Sequence, residues 1–297
     1  MTAKPTGLLG DTTARDYSRK LRLFNAFVAP ELRQAIASLE LTPGMRVLDA
    51  GCGTGEALQW LCDAVAPHGT VVGIDLAAAH ISAARAVASG KARSFGEPGS
   101  CGQAKSSGQM TVLQADVMRP PLAPRSFELV WSVNTINHLR APLAGVQVLA
   151  SLVRLGGRIA VGQSSLLPEM FFAWDSRLER LTTEAVRRYY RDRYGLAERE
   201  LADTRSILGL LRRAALRNVR VHTFIIERVS PLNHADDAYL LEAIFRDTWG
   251  ERLRPYLSGE NYDELTALCD PRHPAFALRR PDFHFLQTFT LAVGKVA

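Results

Sequence analysis

A glycine-rich stretch near the N-terminus places the strongest constraint on how this chain can fold. Residues 49–55 read Asp-Ala-Gly-Cys-Gly-Thr-Gly and follow a short apolar segment, residues 45–48. The apolar segment predicts a strand buried on both faces, and residues 56–61 have the apolar spacing of a helix. A strand, a glycine turn and a helix in this order bring backbone N–H groups and a positive helix end together. The turn is therefore predicted to hold a ligand against the main chain, where a Cβ would collide.

The spacing of the glycines separates two kinds of nucleotide site. A dinucleotide fingerprint needs the pattern G-x-G-x-x-G, so that a pyrophosphate sits on the helix start. Here the pattern is G-x-G-x-G behind Asp49, and a second acidic residue, Asp75, ends the next predicted strand. The interval of about twenty residues between turn and acid is the one at which ribose-binding carboxylates occur. The pattern therefore favours a nucleoside ligand and argues against a dinucleotide.

Together with Asp116, which follows the third predicted strand, these residues resemble the class I S-adenosylmethionine-dependent methyltransferases. Within that class the chain looks most like the ubiquinone-biosynthesis-type branch, which acts on small molecules. The resemblance implies an α/β fold with a doubly wound, seven-stranded Rossmann-like sheet. It also implies that the last strand is antiparallel and lies between the fifth and sixth strands. The cofactor implied is S-adenosyl-L-methionine.

The segment before the last strand departs from this plan. Antiparallel neighbours can be joined by a few residues, but a long stretch with helical periodicity over 236–249 intervenes here. Long structured insertions are usually functional, so we expect helical cap insertions over a substrate pocket or an oligomer interface. The predicted parts are an N-terminal helical segment closing on the cofactor (1–41), an S-adenosylmethionine-binding core (42–165, 201–229 and 285–297) and cap insertions (166–200 and 230–284).

Two expectations concern local structure inside the core. The pair Gly156-Gly157 predicts a turn that leads into the fifth strand, expected over 158–161. Residues 89–109 are rich in glycine and serine and show no periodicity, which predicts a flexible surface loop.

Each predicted cofactor contact has a simpler structural alternative. A carboxylate at Asp75 can accept hydrogen bonds from both hydroxyls of a ribose, or it can cap the helix that follows. The resemblance implies that Asp116 accepts from the adenine amine, that Leu76 lies against the adenine and that Tyr17 closes over the cofactor. Asn134, at a strand end, is expected to reach the amino or carboxylate group of the cofactor. The predicted cofactor-binding residues are Tyr17, Asp49, Ala50, Gly51, Cys52, Gly53, Gly55, Asp75, Leu76, Asp116, Val117 and Asn134.

Methyl transfer from a sulfonium needs a nearly collinear nucleophile, methyl carbon and sulfur, so orientation and water exclusion are the main tasks of the protein. A general base is needed only where the acceptor carries a proton of high pKa. His138, at the end of the fourth strand, is the first candidate, with a packing role as its alternative; His284 is the second candidate. Hydrolase, P-loop and metal-binding patterns are lacking, and no metal is expected.

The composition is that of an ordinary globular protein. Hydrophobic residues make up 47% and charged residues 22% of the 297 residues. The net charge of +6 comes mainly from arginines dispersed among acids, which is typical of solvated helix faces and does not favour a nucleic-acid partner. The four cysteines are scattered and predict neither a zinc site nor a disulfide framework. Without a signal pattern or an apolar run of membrane-spanning length, we expect a cytoplasmic enzyme.

The leading hypothesis is a methyltransferase that modifies an oxygen, nitrogen or carbon atom of a small, aromatic or polyketide-like metabolite. An RNA or protein methyltransferase is the first alternative, and salt-sensitive RNA binding would distinguish it. A cofactor-binding sensor or scaffold that transfers no methyl group is the second. Homo-oligomerisation through the cap is a further expectation.

Overall fold

The computed structural model describes residues 17–90, 108–165, 169–170, 174–195 and 203–297. These residues fall into two compact units. The start of the predicted N-terminal segment and most of the loop predicted over 89–109 lie outside the described residues. The first unit takes in Met1–Ser164, Asp203–Phe224 and Phe289–Ala297, and the second takes in Ser165–Ala202 and Ile225–Thr288.

One mixed sheet contains the eight strands found in the described residues. They are β1 (Arg46–Ala50), β2 (Thr70–Asp75), β3 (Gln109–Gln114), β4 (Phe127–Val133), β5 (Val153–Ser164), β6 (Glu169–Met170), β7 (Arg217–Val229) and β8 (His284–Lys295). The order is β3-β2-β1-β4-β5-β8-β6, and β7 also pairs with β8. Strands β1 to β5 pair in parallel, whereas β8 is antiparallel to β5. The predicted doubly wound, Rossmann-like sheet with an antiparallel last strand is confirmed, and the two-residue β6 is an addition.

Strand β5 begins earlier than the sequence predicts. The turn expected at Gly156-Gly157 lies inside the strand, which starts at Val153. The register between β4 and β5 shifts at this point, between Phe127 and Leu129, and Gly156 has a positive φ of 79°. A glycine irregularity inside a strand bends it without ending it. The expectation of a turn was therefore wrong, because the glycines form a bulge.

The core of the first unit is built on the central strand β1. Val47 and Leu48 point to opposite faces of the sheet, and both are fully buried. Burying each of these side chains contributes roughly 1.5–3 kcal/mol. The helices that surround the sheet in this unit are α1 (Ser18–Phe27), α2 (Ala29–Ala37), α3 (Glu56–Val65), α4 (Ala78–Ala88), α5 (Pro142–Leu152) and α7 (Asp203–Arg213).

The second unit is mainly helical, with α6 (Ser176–Tyr194), α8 (His234–Tyr239) and α9 (Gly259–Cys269). Helix α6 is capped at its start by the Asp175 carboxylate, which accepts from the Arg177 N–H at 2.7 Å. Its end is set by Gly195, which has a left-handed φ of 63°. Arg177 also contacts Glu264 of α9 at 3.4 Å, so the two helices are joined by side chains.

The helix predicted over 236–249 changes its geometry part-way. It is α-helical in α8 and continues as a π-helix over Leu240–Thr248. The Thr248 hydroxyl donates to the Ala243 carbonyl at 2.8 Å, and the Trp249 N–H donates to the Ile244 carbonyl at 2.8 Å. The Trp249 bond joins backbone groups five residues apart, which is the spacing of a π-helix, and the Thr248 side chain spans the same interval. Of the helices the structure describes, none is both long and apolar enough to cross a membrane.

Candidate functional site

The glycine turn after β1 takes a backbone path that other residues rarely adopt. Gly51, Gly53 and Gly55 have φ angles of 85°, 52° and 93°. A Cβ at Gly55 would lie 2.9 Å from Ala84 Cα, so α3 and α4 approach closely only because this residue has no side chain. The N–H groups of Gly51 and Cys52 donate to the Ile74 carbonyl at 2.8 and 2.9 Å. The turn is thereby fixed to the end of β2.

Asp49, the acidic residue of β1, is buried next to this turn. Its exposed fraction is 2%, and its Oδ2 atom has no hydrogen-bond partner within the described residues. Burial, together with the negative charges of Asp75 and Glu56, raises the pKa of the Asp49 carboxyl to about 8. A buried carboxyl oxygen without a partner is costly unless a donor or a cation approaches it. Asp49 is therefore suited to face a positively charged ligand group.

Asp75 lies on the other side of the turn and is held in the opposite charge state. Its carboxylate accepts from the Gly53 N–H at 3.0 Å and from the Ala77 N–H at 2.9 Å. His80 Nδ1 lies 3.2 Å from Asp75 Oδ1. Burial alone would raise the pKa of Asp75, but the hydrogen bonds from His80, Ala77 and Gly53 outweigh it and lower the pKa below its usual value. Asp75 is therefore ionised beside the glycine turn.

The neighbouring strand end carries Asp116. Its Oδ1 atom accepts from the Met118 N–H at 2.8 Å, so the carboxylate caps a turn. The end of β3 is joined to the end of β2, because the Ala115 N–H donates to the Asp75 carbonyl at 3.0 Å and Gln114 Nε2 donates to the Leu76 carbonyl. Asp75 and Asp116 therefore lie along one edge of the sheet, as their order after β2 and β3 predicts.

The loop after β4 lies at the same edge of the sheet. Asn134 has a positive φ of 51°, its Oδ1 accepts from the Ser164 N–H at 2.8 Å and its Nδ2 donates to Ser164 Oγ at 3.3 Å. The amide thus connects the ends of β4 and β5. Thr135 lies over Gly51, since a Cβ there would collide with the Thr135 side chain.

His138 ends a 3₁₀ turn, Ile136–His138, in this loop. Its side chain is exposed, yet the protein around it lowers the pKa of the imidazole, and the negative charge of Asp75 only partly opposes that shift. His138 is thus neutral at neutral pH and accessible, as a base must be.

Residues 48–161, which contain the turn and all of these strand ends except Ser164, match a family described as "Methyltransferase domain". These residues therefore form a methyltransferase domain, and the likeness supports a class I S-adenosylmethionine-dependent methyltransferase. S-adenosylmethionine is the cofactor of that family, and the geometry fits it: the unpartnered Asp49 oxygen suits a cationic group and the ionised Asp75 suits a diol.

The relatives of this methyltransferase domain include proteins named as methyltransferases of a naphthoquinone and of aklanonic acid. The chain is 34% identical over 151 residues to a 2-phytyl-1,4-naphtoquinone methyltransferase of Thermosynechococcus vestitus, covering 48% of this chain and 58% of the relative. It is 30% identical over 139 residues to an aklanonic acid methyltransferase of Streptomyces sp. (strain C5), covering 47% and 57%. The chain thus spans little more than half the length of these curated relatives.

A solved structure extends the likeness to the fold. The phosphoethanolamine N-methyltransferase 2 of Haemonchus contortus superposes with a TM-score of 0.53 at 15% identity, covering 96% of this chain and 59% of that one. At this identity the match supports the architecture of the methyltransferase domain and nothing finer.

Several predicted residues of the methyltransferase domain have structural partners. Ala50 is buried and its carbonyl accepts from Ser132 Oγ at 2.9 Å. Cys52 is buried, and burial, followed by the charge of Asp49, raises the pKa of its thiol well above the usual value. Val117 belongs to the hydrophobic core, and Leu76 is half-buried. Cofactor contacts by these residues and by Asn134 stay predictions.

The first helix supplies contacts to the turn that the sequence does not predict. The Leu21 side chain lies 3.4 Å from the position of a Cβ on Gly53. The buried Glu56 Oε2 accepts from Asn25 Nδ2 at 2.7 Å and from Thr54 Oγ1 at 2.6 Å. An acid in the first turn of α3 is the only local signal of this arrangement. Tyr17 immediately precedes α1, and its carbonyl accepts the Leu21 N–H, so its predicted role over the cofactor stays a prediction.

The second histidine candidate belongs to the other unit. His284 Nε2 lies 2.8 Å from Glu227 Oε1, and both side chains are partly exposed. The pairing is that of a surface hydrogen bond between adjacent strands. A catalytic role for His284 stays a prediction.

Proposed function

We propose that this protein transfers a methyl group from S-adenosylmethionine to a small-molecule metabolite by direct displacement. The observation that carries the proposal is the pair of carboxyl groups on either side of the left-handed glycine turn. Asp75 is ionised and positioned by the main chain of the turn, and Asp49 keeps a buried oxygen that no described residue partners. When bound, S-adenosylmethionine supplies an electrophilic methyl group on a sulfonium.

The residues of the turn would hold the cofactor in complementary ways. Asp75 would accept hydrogen bonds from the ribose hydroxyls, because its carboxylate is ionised and lies at the end of β2. Asp49 would favour a cationic group, and its own ionisation would in turn become easier. Gly53 leaves room over the main chain, since Leu21 is the one described side chain that approaches the position of a Cβ.

His138 is the proposed general base where the acceptor carries a proton. Its pKa lies below the usual value because of the surrounding protein, so it is ready to accept a proton at neutral pH. Its position in the loop after β4, the strand next to β1, places it at the carboxyl edge of the sheet where ligands of such sheets bind.

The proposed substrate class is an aromatic or polyketide-like metabolite. The names of the curated relatives, which include a naphthoquinone and an aklanonic acid methyltransferase, support this class. All tyrosines except Tyr17 lie in the ranges of the second unit, which we propose to be the substrate-binding cap. Aromatic rings offer large contact areas to flat apolar ligands.

Calorimetric titration tests the cofactor. S-adenosylmethionine and S-adenosylhomocysteine should bind the wild type, whereas NADH should not. Asp75→Ala should weaken binding by about 1–3 kcal/mol through lost charge-assisted hydrogen bonds. Asp63→Ala, which removes an exposed carboxylate from α3, is the matched control and should bind normally. Binding of NADH in preference to the sulfonium compound would overturn the proposal.

A labelled-methyl screen tests the acceptor. Radiolabelled S-adenosylmethionine should transfer its methyl group to members of a panel of quinones and aromatic polyketides. Transfer to RNA, together with RNA binding that weakens steeply with salt, would replace the small-molecule assignment. Cofactor binding without transfer to any of these would instead favour a non-methylating protein.

A further inference from the structure

His80 is a buried histidine that lies outside the glycine turn and has no role of its own in the proposed methyl transfer. It occupies the first turn of α4, and its side chain is 10% exposed. Its Nδ1 atom lies 3.2 Å from Asp75 Oδ1, and the Asp75 side chain is 15% exposed. Since a carboxylate oxygen can only accept, Nδ1 carries the proton in this hydrogen bond.

The remaining contacts of Asp75 show what this bond adds. The backbone N–H of Gly53 holds Oδ2, and the backbone N–H of Ala77 holds Oδ1. Among the described residues, His80 provides the one side-chain hydrogen bond to Asp75. Each backbone bond reaches one oxygen, and the His80 bond adds a second donor on Oδ1, so the plane of the carboxylate is held more firmly. Hydrogen bonding of ribose hydroxyls to the acceptor sites left on the carboxylate depends on that plane.

The surroundings of the other ring nitrogen, Nε2, argue against a role of His80 in packing alone. His80 Nε2 is buried and has no hydrogen-bond partner in the described part of the chain. A buried nitrogen left without a partner costs stability, so an apolar side chain of similar size would suit packing alone. The histidine therefore gives up some stability while it holds the Asp75 carboxylate.

We propose that His80 is a positioning residue that orients the Asp75 carboxylate toward the ribose hydroxyls and so sharpens selection of ribose over deoxyribose ligands. The inference rests on the proposed function, which assigns Asp75 to the ribose. His80 does not touch the ligand itself; it acts through Asp75.

The test measures binding by calorimetry with two probes, S-adenosylhomocysteine and its 2′-deoxy analogue. His80→Leu should weaken binding of S-adenosylhomocysteine about tenfold, the size expected for one hydrogen bond. It should change binding of the 2′-deoxy analogue less than about twofold. His80→Asn should restore most of the loss, because its amide nitrogen sits near the position of Nδ1 and can donate to Asp75. His80→Phe keeps a ring without the donor and serves if the leucine variant does not fold.

A double-mutant comparison separates positioning from general destabilisation. In the Asp75→Ala background, His80→Leu should cause no further loss of affinity. Equal losses for both probes, or losses that add to that of Asp75→Ala, would show that His80 only supports the fold and would overturn the inference. An unchanged affinity in both His80→Leu and His80→Phe would overturn it too. If the wild type itself fails to bind S-adenosylhomocysteine, the proposed function falls, and this outcome is distinct from the others.

Discussion

The carboxyl groups beside the glycine turn and the arginines around Tyr189 are held in different ways. In the first unit the N–H groups of Gly53 and Ala77 hold the Asp75 carboxylate, and strand β1 buries Asp49. In the second unit, arginines stack on tyrosine rings. Arg252 lies 5.6 Å from the centroid of Tyr189, and Tyr190 stacks on its neighbour Tyr194 at 6.0 Å.

This difference shows that the local sequence determines the conformation of the glycine turn more strongly than that of the stacked side chains. A backbone turn with three left-handed glycines has few alternatives, so its ligand chemistry follows from residue spacing. Ring and guanidinium stacks have many alternatives, because long side chains can exchange partners at small cost. Cofactor affinity should therefore respond to changes in the first unit alone, and the following experiments test that separation.

The largest expected effect distinguishes the two histidine candidates, one in each unit. His138→Gln should lower kcat by about 100-fold or more while cofactor affinity stays within about twofold, because a neutral base is lost. His284→Gln should leave kcat within about twofold, since its pairing with Glu227 lies at the surface. Rate measurements with the acceptor found in the methyl screen provide the comparison. A larger loss of kcat in His284→Gln than in His138→Gln would identify His284, in the second unit, as the base.

The next effect concerns the space over the turn. Gly53→Ala should weaken S-adenosylmethionine binding by about 10- to 100-fold, the equivalent of 1–3 kcal/mol of overcrowding, as measured by calorimetry. Gly44→Ala is the matched control, because Gly44 also has a positive φ, of 86°, but no atom of the described residues lies within 4 Å of its Cβ position. Both variants should lose about 1–2 kcal/mol of stability from backbone strain. Equal affinities in the two variants would mean that no ligand lies against Gly53.

The raised pKa of Asp49 predicts that the stability of the protein falls as the pH rises. Its pKa is about 8 in the folded protein and near 3.8 in the unfolded chain, so the folded state binds the extra proton between these values. Stability therefore falls as pH rises through this window, by as much as ~3 kcal/mol between pH 5 and pH 8. Denaturant titrations at several pH values should show a shallower fall in Asp49→Asn, along with weaker cofactor binding. Parallel slopes in the two proteins would place the proton on another group.

The smallest expected effect lies in the second unit. Arg252→Met removes an ion pair with Asp247 and the contact with Tyr189, and should cost about 1–2 kcal/mol of stability. Arg254→Met is the matched control: this arginine is exposed and lies 5.7 Å from the centroid of Tyr262, so its loss should cost less than about 0.5 kcal/mol. Both variants should bind S-adenosylmethionine normally in calorimetry. Weaker binding of S-adenosylmethionine in either variant would contradict the view that cofactor affinity depends on the first unit alone.

The sequence predicted those elements whose signals are local. Strand β1 (Arg46–Ala50) and helix α3 (Glu56–Val65) lie where the apolar segment over 45–48 and the helical spacing over 56–61 predict them. The strand-end acids fall along one edge of the sheet because parallel topology leaves no other place for them.

The features that the sequence did not predict are of two kinds. Some depend on residues far away in the chain, and others depend on which of two similar backbone conformations a segment adopts. The bond from Asn25 to Glu56 spans 31 positions, and no local pattern marks it. The charge state of Asp49 depends on burial and on Asp75, which only the assembled sheet provides. The bulge at Gly156 and the π-helix over Leu240–Thr248 are forms that share their composition with a turn and an α-helix.

The bond between Asn25 and Glu56 links the first helix to the residue that directly follows the glycine turn. Any ligand that stiffens the start of α3 also stabilises Glu56, and through it the helix that carries Asn25. Amide protons of Ser18–Phe27 should then exchange more slowly with deuterated solvent once a nucleoside occupies the turn, although these residues precede it by some thirty positions. A remote segment would thus report occupancy without any label on the ligand.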